Sequence, residues 1–320
     1  MKLSIIIVSY NTCKLTLQTV TSLTKSIKSE SPLANNYEII VIDNDSHDQT
    51  IATLKALHLK QLKIVNSGEN LGFGRANNLG FKYATGQLLL FLNSDTIVPA
   101  GSLEKMYTFY TQTLEKERNK RKKLGLLSAT LRNGDGSIQP QGGDLPNLAT
   151  IATTMFFLDD LPILGRLLPS VQHTGRRFHP SARAVEFRRQ GWVAGTAVMC
   201  ERELWEEKGG WDPEIFMYGE DQELCYRLHQ EHYYHGILET APITHLGSAS
   251  SSSAFAILGE IRGYLYFFRK YHPRQQWEWL KLILWLAAWL RVTIFTLVRP
   301  DHQRADIYTQ AIGVIEQARY

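Results

Sequence analysis

Residues 88–99 read Leu-Leu-Leu-Phe-Leu-Asn-Ser-Asp-Thr-Ile-Val-Pro, and this stretch decides the fold of the chain. Its apolar part is typical of a buried central strand in a parallel sheet, and it ends abruptly at Asn93-Ser94-Asp95. Polar side chains at the carboxyl end of such a strand lie where open α/β sheets bind ligands. Residues i and i+2 of an extended backbone point the same way, and oxygen ligands suit Mg²⁺, which often bridges to phosphate. The alternative is a strand followed by an Asx-type turn.

The rest of the first half alternates strand and helix patterns around this stretch. Further strand patterns occupy residues 3–9, 38–42 and 62–66, and helix patterns occupy 15–27 and 74–84. This alternation predicts an α/β fold in which helices flank a mostly parallel sheet.

The second half is less regular. Residues 101–123 are predicted to form a helix that ends in a run of basic residues, and 133–187, rich in Gly, Pro and polar residues, are predicted to be long loops. An αβ pattern resumes at Trp192 and continues to about His245, and 255–272 are predicted to be helical.

Composition sets broad limits on function. The chain has 320 residues, of which 44% are hydrophobic and 21% charged, an ordinary globular composition that allows one large domain or two. The net charge of +4 gives no reason to expect a nucleic-acid partner. The three cysteines (Cys13, Cys200 and Cys225) have no metal-ligand spacing, which predicts reduced thiols in a cytosolic compartment.

Three short polar groups follow predicted strands. They are Ser9-Tyr10-Asn11, Asp43-Asn44-Asp45-Ser46 and Asn93-Ser94-Asp95. In a parallel sheet all three lie along the carboxyl edge, where short polar side chains can hydrogen-bond a nucleotide base and ribose. The alternative for each group taken singly is a turn or a helix N-cap. Together they predict a ligand site.

A glycine-rich segment, residues 70–80, lies between the second and third groups. Gly72 permits close backbone approach to a ligand, Arg75 at a helix start suits a phosphate or a base, and Asn78 follows on the same helix. Asn77 occupies the third glycine position of a G-x-G-x-x-G pattern, which argues against a dinucleotide-binding dehydrogenase.

The second half supplies candidate acid–base and metal-binding groups. Glu220 and Asp221 fall in the first turn of a predicted helix, where a carboxylate either stabilises the helix dipole or acts as a general base toward an attacking hydroxyl. His245 follows a short strand pattern. A lone histidine is usually structural, but next to a carboxylate-bound cation it becomes a credible ligand.

In this order and spacing the motifs resemble glycosyltransferase family 2, and most closely its bacterial rhamnosyltransferase-like members, from Leu3 to about Ser253. The resemblance implies a GT-A fold, a Rossmann-like, mostly parallel sheet flanked by helices with a C-terminal helical extension. It implies a GT-A domain over 1–253, with a nucleotide-binding half at about 1–130 and an acceptor and catalytic half at about 185–253. Residues 254–320 are then a helical, membrane-associating segment.

The resemblance also implies roles for individual residues. Asp221 matches the family's general base, with Glu220 beside it, and Asp95 and His245 match the metal site for Mg²⁺ or Mn²⁺. Asn93 stands where the family's D-x-D motif has its first carboxylate, which should weaken cation binding. The predicted donor-binding residues are Ser9, Asn11, Asp43, Asn44, Gly72, Arg75, Asn78, Asn93 and Ser94.

The expected reaction is inverting transfer of one sugar from a nucleotide-sugar to a hydroxyl of a lipid-linked saccharide, in bacterial cell-surface polysaccharide synthesis. The chain has no Q-x-x-R-W motif, which accompanies processive relatives. The first expectation for the donor is dTDP-L-rhamnose. The alternatives are a UDP-sugar donor, a catalytically silent sugar-nucleotide-binding protein and, far behind, a sugar-nucleotide pyrophosphorylase, which should show an N-terminal glycine-rich phosphate loop.

Residues 277–298 contain four of the seven tryptophans and one central basic residue, Arg291. A central arginine is costly in a bilayer, whereas Trp and flanking basic residues favour the interface. The pattern predicts a helix lying on or dipping into a membrane. Together with this helix, the resemblance implies a peripheral protein at the cytoplasmic face of the bacterial inner membrane. The alternative is a buried core helix or the interface of a homodimer.

Overall fold

The computed structural model describes residues 1–163, 165, 167–173, 186–247 and 253–320, the side chain of residue 253 excepted. Four parallel strands carry the first half: β1 (Leu3–Ser9), β2 (Tyr37–Asp43), β3 (Leu62–Asn66) and β4 (Leu88–Asn93). They lie in the order β3-β2-β1-β4. The apolar run that ends at Asn93 is buried, as β4 of the central sheet, and the prediction from residues 88–99 is confirmed.

Five further strands extend this sheet: β5 (Thr96–Ile97), β6 (Lys123–Arg132), β8 (Phe187–Gln190), β10 (Ala197–Glu201) and β11 (Tyr233–His245). The strand β10 runs antiparallel between β4 and β6, and β11 pairs with β6, β8 and β5. A separate short pair joins β7 (Gly142–Gly143) to β9 (Trp192–Val193). The sheet is therefore mixed, and its parallel half carries the carboxyl edge predicted to bind the ligand.

Ten α-helices are described. They are α1 (Cys13–Ser26), α2 (Thr50–Lys55), α3 (Gly72–Phe81), α4 (Ser102–Glu117), α5 (Leu148–Met155), α6 (Arg202–Lys208), α7 (Glu220–Gln230), α8 (Ser253–Tyr271), α9 (Arg274–Thr293) and α10 (His302–Gln317). A π-helical turn, Ile294–Val298, continues α9. Two apolar clusters cover the two faces of the sheet, and a third joins α5 to α8, α9 and α10.

Two predictions about the middle of the chain were wrong. The helix predicted over 101–123 ends at Glu117. The side chain of Glu117 accepts a hydrogen bond from the backbone N–H of Leu124. Leu124 belongs to β6, which begins at Lys123. The segment predicted to be all loop contains α5, whose start is fixed by a reciprocal capping box between Asn147 and Thr150. Residues 164, 166 and 174–185 of that segment lie outside the described residues.

Arg291, the basic residue within the apolar C-terminal helix, is buried. Its guanidinium donates to the carbonyl of Met155, and its central carbon lies 4.3 Å from the ring centroid of Phe157 and 5.5 Å from that of Tyr308. One face of α9 therefore packs inside the protein, whereas Trp279, Leu286 and other apolar residues on the opposite face are exposed. By length and composition Arg274–Val298 could cross a membrane, a test that core helices also pass.

Candidate active site

A cavity of about 820 Å³ opens at the carboxyl edge of the parallel strands. On one side it is lined by the residues that follow β1, β2 and β4, and on the other by the loop before α7 and by the first turns of α7 and α8. The predicted site residues that line it are Asn44, Gly72, Asn93, Ser94, Asp95, Glu220, Asp221 and His245. The structure thus brings candidates that lie up to about two hundred residues apart in the chain to one cavity.

Asp95 and His245 form the centre of the candidate metal site. The pairing of β5 with β11 sets His245 opposite Thr96, which brings Nε2 of His245 to 3.2 Å from Oδ1 of Asp95. The amide nitrogen of Asn93 lies 3.4 Å from the same Nε2. Nδ1 of His245 donates to Oε1 of Gln139 at 2.7 Å, and this hydrogen bond holds the ring with Nε2 beside Asp95.

This donor set fits a divalent cation. A histidine whose second nitrogen is held by an amide oxygen is typical of metal ligands, and the carboxylate beside it supplies a hard oxygen. Among the residues that the structure describes, no group of three or more His, Cys, Asp or Glu side chains is placed to hold a metal. Asp95 and His245 would therefore hold the ion together with ligands from a substrate or from water.

Asn44 and Gly72 shape the side of the cavity that lies at the carboxyl edge of the parallel strands. The side chain of Asn44 donates to Oδ1 of Asn70 at 2.9 Å and accepts from the backbone N–H of Leu71 at 2.9 Å. Gly72 has φ of 75°, and a Cβ at this position would lie 2.2 Å from the carbonyl oxygen of Phe216. Only glycine fits there, and its missing side chain lets the loop before α7 lie close to the carboxyl edge of the sheet.

Five predicted donor-binding residues do not line the cavity, and their roles stay predictions. Ser9 and Asp43 are buried, and Oδ1 of Asp43 has no hydrogen-bond partner among the described residues. Asn11 is exposed and holds the backbone of His47.

The other two residues fix loops in the second half. Arg75 donates to the carbonyl of Pro213, and Asn78 both donates to and accepts from the backbone of Trp211. Their side chains therefore satisfy backbone groups of the segment that leads to α7. A polar side chain on a helix can bind a ligand or can hydrogen-bond the backbone of a nearby loop. The sequence pattern does not show which of these two roles a given residue has.

Glu220 and Asp221 begin α7, directly after Gly219, whose φ is 101°. Burial raises the pKa of both carboxyl groups, and the charge of Asp221 raises the pKa of Glu220 further. Asp221 accepts hydrogen bonds from the backbone N–H groups of Gln222 and Gly195, which favour its ionised form. Both groups are therefore weaker acids than ordinary glutamate and aspartate side chains.

Several cavity residues were missed from the sequence. They are Gln172, Trp192, Phe216, Tyr218, Phe255, Ile257 and Glu260. The last three belong to α8, which the resemblance left outside the catalytic domain. The division at residue 253 stays a prediction, although α8 supplies one wall of the cavity. No sequence signal distinguishes cavity-facing positions of an amphipathic helix from core-facing ones.

Comparison with known proteins supports a family assignment for the first third of the chain. Residues 4–115 match the family model for glycosyl transferase family 2. The chain is 24% identical over 240 residues to the low-salt glycan biosynthesis hexosyltransferase Agl10 of Haloferax volcanii, covering 69% of this chain and 66% of that one. It is 24% identical over 236 residues to the N-acetylglucosaminyl-diphospho-decaprenol L-rhamnosyltransferase of Mycobacterium tuberculosis, covering 69% and 68%. About a third of each relative's length thus lies outside the match.

A solved structure supports the fold. The mannosyltransferase PcManGT of Pyrobaculum calidifontis, in complex with GDP-Man and Mn²⁺, superposes with a TM-score of 0.53 at 15% identity and covers 100% of this chain and 76% of that one. The order of the strands, the helices on both faces of the sheet and the family match agree. Residues 4–115 thus match glycosyltransferase family 2, and the chain has the GT-A fold.

Proposed function

We propose that this protein is an inverting, metal-dependent glycosyltransferase that moves a single sugar from a nucleotide-sugar to a hydroxyl of a lipid-linked saccharide. The observation that carries the proposal is the shared cavity: the Asp95–His245 pair and the Asp221 carboxylate line the same 820 Å³ space. A donor diphosphate and an acceptor hydroxyl can therefore be held in one enclosure, each beside the group that its chemistry needs.

The donor half uses the polar carboxyl edge. A divalent cation held by Asp95 and His245 would neutralise the donor diphosphate, so that it leaves readily from the sugar. Asn93 and Ser94 line the same wall and can hydrogen-bond phosphate or ribose oxygens. Oδ1 of Asp43 is buried without a hydrogen-bond partner in the described part of the chain and is suited to accept from a base N–H, and Asn44 accepts from the backbone of the adjoining loop.

The acceptor half uses Asp221. The raised pKa of this carboxyl makes it a stronger base than an ordinary aspartate, and it remains ionised because backbone N–H groups donate to it. It removes the proton of an acceptor hydroxyl, whose oxygen attacks the anomeric carbon opposite the leaving diphosphate. A single displacement inverts the anomeric centre. The raised pKa of Glu220 disfavours a second buried charge beside Asp221.

The relatives suggest the class of substrates. One is named for rhamnosyl transfer to N-acetylglucosaminyl-diphospho-decaprenol, and another, from Escherichia coli, for glucosyl transfer to a GlcNAc-diphosphoundecaprenol. We propose dTDP-L-rhamnose as the first donor to test and a UDP-sugar as the second. The acceptor is a saccharide on a lipid diphosphate in bacterial cell-surface polysaccharide synthesis.

A lipid-linked acceptor requires access to a membrane surface. The outer face of α9 exposes Trp279, Leu282, Leu286 and Trp289, and the neighbouring segment after α5 exposes Ile163. Aromatic and aliphatic side chains on one helix face suit an interfacial position rather than a membrane span. We propose that this surface holds the protein at the cytoplasmic face of the membrane.

The test is a screen of UDP-, dTDP- and GDP-sugars, each with and without Mn²⁺ or Mg²⁺, that reads both thermal unfolding and donor hydrolysis. A donor that binds the folded state raises the unfolding temperature by mass action. We expect cation-dependent stabilisation by one nucleotide class, together with slow hydrolysis of its sugar. Stabilisation without hydrolysis or transfer would support the catalytically silent alternative. A rise in unfolding temperature that is the same with and without the cation would contradict the metal site.

A further inference from the structure

The helix α8, which begins well beyond the family match, is built into the cavity. It carries glycines at 259 and 263, spaced one helical turn apart. A Cβ at Gly259 would lie 2.6 Å from Cδ2 of Tyr218, and a Cβ at Gly263 would lie 2.6 Å from the carbonyl oxygen of Tyr218. The two glycines therefore let α8 pack closely against Tyr218 in the loop before α7. Glu260 between them and Phe255, Ala256 and Ile257 before them line the cavity.

Glu260 lies between these glycines and lines the cavity. Its Oε1 accepts a hydrogen bond from the hydroxyl of Tyr264 at 2.9 Å, which fixes the carboxylate from one side. Burial raises the pKa of Glu260, whereas the buried guanidinium of Arg291 on α9 favours its charged form. The negative charge of Glu260 in turn raises the pKa of Asp221, and both side chains line the cavity.

Two further observations on the same wall indicate a ligand. Glu220 is 7% exposed and lines the cavity, and its Oε2 has no hydrogen-bond partner among the described residues. Phe255 lies edge-on to Phe216 and to Tyr218, with ring centroids 6.2 and 6.0 Å apart, so that an aromatic surface adjoins the carboxyl groups. Carboxylates that accept from hydroxyl groups, beside rings that pack on C–H faces, form the chemistry that recognises a pyranose.

We propose that α8 forms the acceptor-sugar site, in which Glu260 accepts hydrogen bonds from hydroxyls of the sugar that Asp221 activates while Phe255 packs against its ring. This inference rests on the proposed glycosyl transfer and assigns its acceptor recognition to Glu260. Tyr264 is a positioning residue, because it acts on the sugar through Glu260. The Arg291 guanidinium supports the charge of Glu260 from α9.

The test measures binding of methyl glycosides of glucose, galactose, mannose, N-acetylglucosamine and rhamnose by saturation-transfer NMR, in the presence of UDP. The variants are Glu260→Gln and Tyr264→Phe, and Glu278→Gln is the matched control, because Glu278 is an exposed glutamate on α9 paired with Arg274. We expect Glu260→Gln to weaken the best-bound glycoside about tenfold, since hydrogen bonds to charged groups are the stronger ones. Tyr264→Phe should weaken it less, and Glu278→Gln should leave it unchanged.

UDP affinity and the unfolding temperature of each variant show whether it is folded with an intact donor site. Unchanged glycoside binding in a folded Glu260→Gln variant would overturn the inference, as would a wild-type protein that binds none of the five glycosides. Failure of the proposed function has a separate signature, which is a wild-type protein that binds a glycoside through Glu260 yet transfers no sugar from any nucleotide donor.

Discussion

At the scale of single residues, the candidate site contains two adjacent carboxyl groups, and burial raises the pKa of each. Glu220 and Asp221 share the first turn of α7, and both line the cavity. Backbone N–H groups donate to both carboxyl groups, and Oε2 of Glu220 has no hydrogen-bond partner among the described residues. We propose that Asp221 is the base of this pair.

The raised pKa of Asp221 predicts the pH dependence of turnover. The base works only when deprotonated, and burial raises its pKa above the ordinary aspartate value of about 3.9. The kcat should therefore fall as the pH is lowered through that raised pKa, well before an ordinary aspartate would titrate. Initial rates at saturating donor and acceptor between pH 4.5 and 9 measure this limb. A rate that stays flat down to pH 4.5 would contradict the assignment.

The residue scale is also where sequence reasoning was least complete. Asn93, Ser94 and Asp95 were predicted correctly to follow a buried strand, because strand burial and edge position follow from local pattern. Arg75 and Asn78 instead bond to backbone atoms more than 130 residues away. Their partners are set by tertiary packing, which no local motif encodes.

At the scale of elements, α8 connects the C-terminal helices to the site. Its last turns carry Lys270, which donates to Asp212 at 2.6 Å and to the fully buried Glu223 of α7 at 2.9 Å. Buried charges are tolerated when they are paired in this way, and losing one partner is costly. The helix itself was predicted at 255–272 from its pattern, whereas its contact with α7 was not.

The close approach of α8 to the loop before α7 predicts that alanine has opposite effects on stability at two glycines, Gly263 and Gly313. Gly263→Ala should destabilise the protein by about 1–3 kcal/mol, because its Cβ would overlap the carbonyl of Tyr218. Gly313 on α10 has nothing within 4 Å of a Cβ position, so Gly313→Ala should stabilise by up to about 1 kcal/mol through helix propensity. Urea unfolding measures both. Equal effects of the two substitutions would contradict the packing of α8 on the loop.

At the scale of the whole molecule, the described helices of the C-terminal part form a core of their own beside the sheet. Trp277, Leu280 and Leu284 on the inner face of α9 are at most 2% exposed. Deleting the chain from residue 277 would therefore remove part of a packed core, and loss of membrane binding after such a deletion would be ambiguous. The outer face can be tested separately, because Trp279 and Leu286 on it are largely exposed.

The exposed face of α9 predicts a membrane phenotype. Trp279 and Leu286 are 59% and 45% exposed, so replacing both by serine should leave stability nearly unchanged. Vesicle co-sedimentation should fall at least tenfold, since each side chain loses the benefit of burial in the interface. Tyr83→Ser, at an exposed aromatic residue 36% accessible on a different helix end, is the control. Unchanged sedimentation of the double variant would contradict the membrane role of α9.

The fold was more predictable than the acceptor half of the site. The spacing of apolar residues predicts the alternation of strands and helices in residues 3–99. That alternation in turn predicts where the carboxyl edge of the sheet lies. The antiparallel strand β10, inserted between β4 and β6, and the cavity wall from α8 depend on long-range packing. The helix α5 could have been found, because Asn147 and Thr150 have capping-box spacing.

The most direct test of the account is the turnover of Asp221→Asn, measured with the donor that the screen identifies, beside its affinity for the corresponding nucleotide. Asparagine keeps the shape of the side chain but cannot take the acceptor's proton. We expect transfer to fall by about 10²–10⁴-fold with nucleotide affinity and unfolding temperature nearly unchanged. Transfer at the wild-type rate would contradict the central claim that Asp221 is the base of an inverting displacement.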